Sequence, residues 1–169
     1  MKHSTILAMA AIAMPAIALL ASPALARDPL GIFDRWGAFR DPSPLKCFAI
    51  STPVKPSSGG GNWRPFASIG TWPGQGARAQ LHIRLSHERD PRARVTISVG
   101  ERRFELVAGN ADAWAPDSRT DAAIVAAIRS GRSLSVETLG KGGRPFADVY
   151  ALRGAATAID AAALGCVGK

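Results

Sequence analysis

The chemistry open to this chain begins with two histidines, His82 and His87, five positions apart. Imidazole nitrogens and carboxylates are good ligands for divalent metals, so with Glu88 and Asp90 this stretch can be read as a metal-binding loop. The spacing matches no zinc pattern, and on a continuing strand the two imidazoles would point to opposite faces. A solvated, charged turn is therefore the expected reading. A Ser-His-acid triad stays open on composition alone, but no Gly-x-Ser-x-Gly elbow presents a nucleophile. Gly59-Gly60-Gly61 is followed by neither Lys-Ser/Thr nor a helix, so it does not cradle phosphate. Asp148, two positions before Tyr150, is expected to satisfy strand or turn donors rather than to act as an acid. No catalytic set, metal or cofactor is assigned, and the expectation is a protein that is not an enzyme.

Binding is better represented. Trp63 and Trp72 flank a Gly/Pro-rich region together with Arg64 and Arg78. Aromatic rings with arginines on loops suit sugars, peptides or phosphates, and loops carry binding on rigid scaffolds. These four residues are the binding-surface candidates; the plainer alternative is that both indoles cover sheet ends. Trp114 is read as a structural anchor that plugs the core, because an indole buries so much area.

Charge is the one compositional oddity. The sequence has 169 residues and a net charge of +8. Arginine favours forked contacts with carboxylate and phosphate, so anionic envelope polymers, acidic proteins or nucleic acid would all be attracted. An arginine-rich codon habit together with solubility is nevertheless the expected reading, because net charge alone speaks to association and not to function. The partner is unknown; an anionic envelope polymer or a protein is the class considered.

The elements that must position these groups are mostly strands. Leu45–Ser51 has apolar residues on both faces and reads as a central strand. Trp63–Trp72, Ala79–Ser86 and Val95–Val99 follow. In Ala79–Ser86, Leu81, Ile83 and Leu85 face inward while His82, Arg84 and Ser86 face outward. Phe104 and Leu106 begin a return strand, making a hairpin. Leu134–Thr138 and Phe146–Leu152 form another strand pair across Gly140–Gly143. Arg35–Phe39 is a short strand, and residues 27–34 a loose lead-in. Between the hairpins, Ser118 or Thr120 caps a helix whose positive end Asp117 and Asp121 complement. Ile124, Val125 and Ile128 form its apolar stripe and Gly131 stops it. Ala155–Leu164 is a second short helix. About eight short strands and two late helices suggest a sandwich-like β domain, with a barrel as the alternative.

The N-terminus reads as a secretory leader. Lys2 and His3 precede an apolar run from Ile6 to Leu20, and Ala24-Leu25-Ala26 fits a cleavage site. Residues 1–26 are the expected leader and 27–169 a single domain, with no membrane span once the leader is removed. Such a protein resides in the periplasm or is secreted. In that oxidising setting Cys47 and Cys166 are disulfide candidates; two buried thiols or intermolecular pairing are the alternatives.

The chain resembles the invasion-associated locus B family of secreted bacterial proteins. The resemblance rests on Trp36-Gly37-Ala38-Phe39, on Cys47-Phe48-Ala49-Ile50-Ser51-Thr52-Pro53, and on Phe104-Glu105-Leu106 preceding Ala113-Trp114-Ala115. An Asp-rich cap, the Ile124–Ile128 helix and Gly131 follow. Asp148-Val149-Tyr150-Ala151-Leu152-Arg153-Gly154, an Ala-rich helix and a Cys complete it, so that residues 34–167 are covered. It implies a mainly β protein, an immunoglobulin-like β-sandwich with one or two short helices near the C-terminal end, periplasmic or exported. It brings no catalytic residue. The chain departs from the family pattern at the Gly-Ser run 57–61 and in its arginine content. The expected function is non-enzymatic binding; an envelope-maintenance role, or hydrolysis of cell-wall or host polymers, are the alternatives.

Overall fold

The computed structural model describes residues 27–54 and 64–167. The expected leader (1–26), the Gly-Ser run and Trp63 lie outside the described residues. Ten strands and two α-helices follow in order: β1 Asp28–Phe33, β2 Trp36–Pro42, β3 Leu45–Ser51, β4 Phe66–Trp72, β5 Ala77–Arg84, β6 Val95–Val99, β7 Arg102–Ala108, β8 Asp112–Trp114, α1 Ser118–Ser130, β9 Ser133–Leu139, β10 Pro145–Ala151 and α2 Ala155–Gly165.

Every strand pair is antiparallel, and the order across the sheet is β1-β2-β3-β4-β5-β8-β7-β6-β9-β10. Strand β7 makes the sheet continuous. Its residues Arg102–Leu106 pair with β6, and Val107 and Ala108 pair with β8. The sheet thus has two arms, and residues from both share one core. Trp36 Nε1 donates to the Ala151 carbonyl at 2.9 Å, the Ser86 N–H to Asp148 Oδ2 at 2.8 Å and the Val54 N–H to the Val149 carbonyl at 2.7 Å, and these hydrogen bonds help tie the arms together. The result is mainly β and sandwich-like, folded from one sheet. Two of the ten strands, β1 and β8, fall where the sequence pattern showed no alternation: β1 is interrupted by a bulge at Gly31, and β8 has three residues.

The inner face follows period 2. Ala38, Ala49, Ile69 and Leu81 are successive cross-strand partners on β2–β5, and all are buried. Val95, Ile97, Val99, Leu134 and Val136 line the other arm. Each such aliphatic side chain contributes roughly 1.5–3 kcal/mol by leaving water. The plug between the arms is Trp36, fully buried, and not Trp114. The reason is register: Ala113 takes the inward position on β8, so Trp114 must face out. Ser86 is another departure. It is buried rather than outward, because β5 ends at Arg84 and the alternation ends with it.

Helix α1 packs on β5 and α2 on β1–β4. The cap of α1 is Asp117, whose carboxylate accepts the Thr120 N–H at 2.7 Å; neither Ser118 nor Thr120 serves as the N-cap. Asp121 does more than complement the dipole. It is buried, and its Oδ1 accepts the Leu81 N–H at 2.7 Å, at the point of β5 beyond the pairing with β8. Cys47 on β3 and Cys166 just after α2 form a disulfide across a separation of 119 residues.

Candidate functional site

The inward parity of Cys47 and Ala49 turns Lys46, Phe48 and Ile50 to the outer face of the first arm. Asp41 is the cross-strand partner of Lys46, and Phe39 that of Phe48. Arg27, just before β1, reaches back over the same place. Its guanidinium grips Asp41 with two bonds, Nε–Oδ1 at 2.7 Å and Nη2–Oδ2 at 3.3 Å, and lies 4.7 Å from the Phe48 ring centre. Lys46 Nζ stands 4.5 Å from the Phe48 centre, 5.5 Å from the Trp72 ring and 3.9 Å from Asp41 Oδ2. Two cations are thus held over aromatic faces, which attract them through the ring quadrupole. A cleft of about 510 Å³ opens here, lined by Arg27, Asp41, Lys46, Trp72 and the Pro42-Ser43-Pro44 turn.

Farther across the same face lies a second aromatic and charged group. His82 stacks on Trp114, with centres 5.2 Å apart and planes 7° from parallel, and meets Phe66 edge-on at 5.0 Å. Its Nε2 is 2.8 Å from Asp112 Oδ1, which also accepts Arg84 Nε at 2.9 Å. Ser68 is the cross-strand partner of His82, so serine, imidazole and carboxylate stand on three neighbouring strands. The ring nitrogen that would serve such a serine in a triad is spent on Asp112.

The three binding candidates among the described residues, Arg64, Trp72 and Arg78, do not share one cleft. Trp63 lies outside the described residues. Arg64 is exposed ahead of β4, eight positions before Trp72 and roughly 26 Å away along an extended chain. Arg78 lines a different cleft of about 460 Å³ with Thr71, Ala163 and Cys166, on the helix side of the sheet. Trp72 alone joins the cation-bearing cleft. Arg27, Asp41, Lys46 and Phe48 carry no site signal of their own in the sequence. The usable signal was the Asp-Pro-Ser-Pro turn, which folds Asp41 back onto Lys46. His82 and His87 also part company: His82 goes to Asp112, while His87 Nδ1 is 3.0 Å from Ser86 Oγ and its ring packs on Phe146. Among the described residues no three His, Cys, Asp or Glu side chains group as a metal site would need. Asp148 serves a donor, as its place in the sequence suggested, accepting the Ser86 N–H.

Among the described residues no helix is long and apolar enough to cross a membrane. No protein-family model matches the sequence, and no curated protein matches it significantly. A search of solved structures finds invasion associated protein B from Bartonella henselae, at a TM-score of 0.55 and 16% identity, covering 80% of this chain and 96% of that one. This chain therefore has the fold of that invasion associated protein B.

Proposed function

We propose that the protein is an exported, non-enzymatic binding protein of the invasion-associated locus B type, which holds its partner on the outer face of β2, β3 and β4. The observation that carries this reading is the pair Arg27 and Lys46, fixed over Phe39, Phe48 and Trp72 beside an open cleft. Aromatic rings supply contact area at low entropic cost, and pre-placed cations supply attraction to anions. The shared fold, the disulfide and the basic charge support the same reading. Export is expected to begin at Arg27, and N-terminal mass spectrometry of secreted material tests it.

Purified protein mixed with envelope fractions at low and high salt tests the binding. Capture at low salt that weakens with salt, and that drops in the double variant Arg27→Gln/Lys46→Gln, is the expected result. Absence of capture at either salt concentration rejects the reading.

A further inference from the structure

The Trp72 indole is built into the sheet as a flat platform. A Cβ placed on Gly70 would lie 2.5 and 2.6 Å from Trp72 Cη2 and Cζ3, so the six-membered ring rests directly on the glycine backbone. Any larger residue at position 70 would lift it. Gly70 needs no unusual backbone angle, so its lack of a side chain makes room for the ring, as Gly37 does for Phe39. The indole reaches the cleft, where Lys46 and Arg27 stand on either side of Asp41. The turn beside them contributes the Ser43 hydroxyl.

We infer that this cleft is a subsite for a saccharide unit carrying a carboxylate, as in a uronic-acid polymer; the inference deepens the binding function proposed above and rests on it. The apolar face of a pyranose ring packs on the part of the indole that borders the cleft beside Lys46. Lys46 and Arg27 take the sugar's acid group. Asp41 accepts from sugar hydroxyls, and Ser43 accepts from or donates to them. Charge selects among anions. Two cations and one carboxylate leave a single positive charge, which matches one negative charge per sugar. A polyphosphate backbone would press its dense charge against Asp41. A single-stranded nucleic acid offers bases to stack, but it normally meets several aromatic platforms and a groove without carboxylates. A cleft of about 510 Å³ is the size of a small-ligand site rather than of a macromolecular interface.

Isothermal titration of the full mature chain with a short oligogalacturonide tests the assignment. Three other probes accompany it: the methyl-esterified oligomer, oligo-glutamate and oligo-dT. The oligogalacturonide should bind at least tenfold more tightly than each of the others. Trp72→Ala and Gly70→Val should each weaken it at least tenfold, and Lys46→Gln at least fivefold. Arg64→Gln, which removes one charge at the far end of β4, should leave it unchanged. Gly70→Val is included because it keeps the indole and shifts only its seat; circular dichroism confirms that each variant is folded. Equal binding of oligo-glutamate, or an unchanged Trp72→Ala, would reduce the site to plain charge attraction and overturn the inference. Preference for oligo-dT, or no binding of the oligogalacturonide, would overturn it as well. If envelope capture persists in Trp72→Ala while the oligogalacturonide fails, the subsite falls and the broader binding function stands.

Discussion

Two clusters of aromatic and charged side chains share the outer face of the first arm, and they use the same materials in opposite ways. Around Phe48 and Trp72 the cations lie on top of the rings and border a cleft. Around His82 the rings enclose the imidazole, and the one carboxylate is shared between His82 and Arg84. Both clusters share one carboxylate between two basic groups, but in the first Arg27, Lys46 and Trp72 line a cleft, while in the second the imidazole is packed between two rings. Aromatic residues on a sheet face therefore do not mark a site by themselves. What marks one is whether they and their polar neighbours line a cleft.

The two clusters should respond differently to damage, and the largest difference lies beneath them. Strand β3 carries Lys46 and Phe48 outward and Cys47 inward, so the disulfide to Cys166 backs the open cluster. Removing it as Cys47→Ala/Cys166→Ala should cost about 4–5 kcal/mol by the chain-entropy argument for so long a loop. A thermal midpoint lowered by more than about 10 °C is expected. Oligogalacturonide affinity should fall alongside, because the β3 backbone that spaces Lys46 from Trp72 is loosened. An unchanged midpoint would show that α2 is held by packing alone.

Trp114 and Trp72 give the next contrast. Trp114→Ala loses a half-buried indole and its stack on His82, which should destabilise the protein by about 2 kcal/mol. Trp72→Ala should cost less, about 1 kcal/mol, since that ring rests on a glycine and meets Lys46 but has no aromatic stack. Urea unfolding of both variants measures this. Equal losses would mean that Trp72 is as structural as Trp114, and would weaken the case for the open cluster as a ligand surface.

Much of this architecture was legible in the residues. The β6–β7 hairpin, the inward triplet Leu81, Ile83 and Leu85, the span of α1 and the pairing candidates Cys47 and Cys166 all follow from period and composition, because one buried face per element writes a regular pattern. Gly131 was readable as the helix stop, though not for the usual reason. Its φ is −82°, and a Cβ there would meet Val99 Cγ1 at 2.5 Å. What stayed hidden was long-range. Trp36 and Trp114 each sit beside small residues, and only the register of β8 decides which indole plugs the core. The open cluster joins β2, β3, β4 and the residue before β1, and no local pattern reports on four separate segments. Of the candidates Arg64, Trp72 and Arg78, Arg64 is set apart from Trp72 by the length of β4, and Arg78 lines a different cleft from Trp72 although the turn to β5 brings the two close in sequence.

The smallest expected effect concerns β5, which presents His82 to the closed cluster while buried carboxylates hold its backbone from within. Asp121 takes the Leu81 N–H, and Asp148 takes the Ser86 N–H just past the strand. Burial pushes both carboxyls above the ordinary aspartate value of 3.8, outweighing those hydrogen bonds. For Asp148 the second oxygen, Oδ1, has no partner among the described residues, so its charge is poorly compensated. A raised value in the folded state means that folding takes up protons, so stability is gained as pH falls from neutral through the raised values and levels off at 3.8. Asp117 and Asp160 have the opposite sign. Hydrogen bonds to Thr120 and to Arg129 hold them below 3.8, and the stability they lend is lost as pH falls further. Stability should therefore peak in mild acid rather than at neutrality. Urea midpoints measured from pH 7 to pH 3 should rise and then fall. In Asp148→Asn, which keeps an acceptor for the Ser86 N–H but cannot ionise, the rise should shrink. A wild-type midpoint that falls steadily from pH 7 downward would show that these two carboxylates stay charged where they are buried, and that β5 is anchored by ion–dipole contacts strong enough to offset their desolvation.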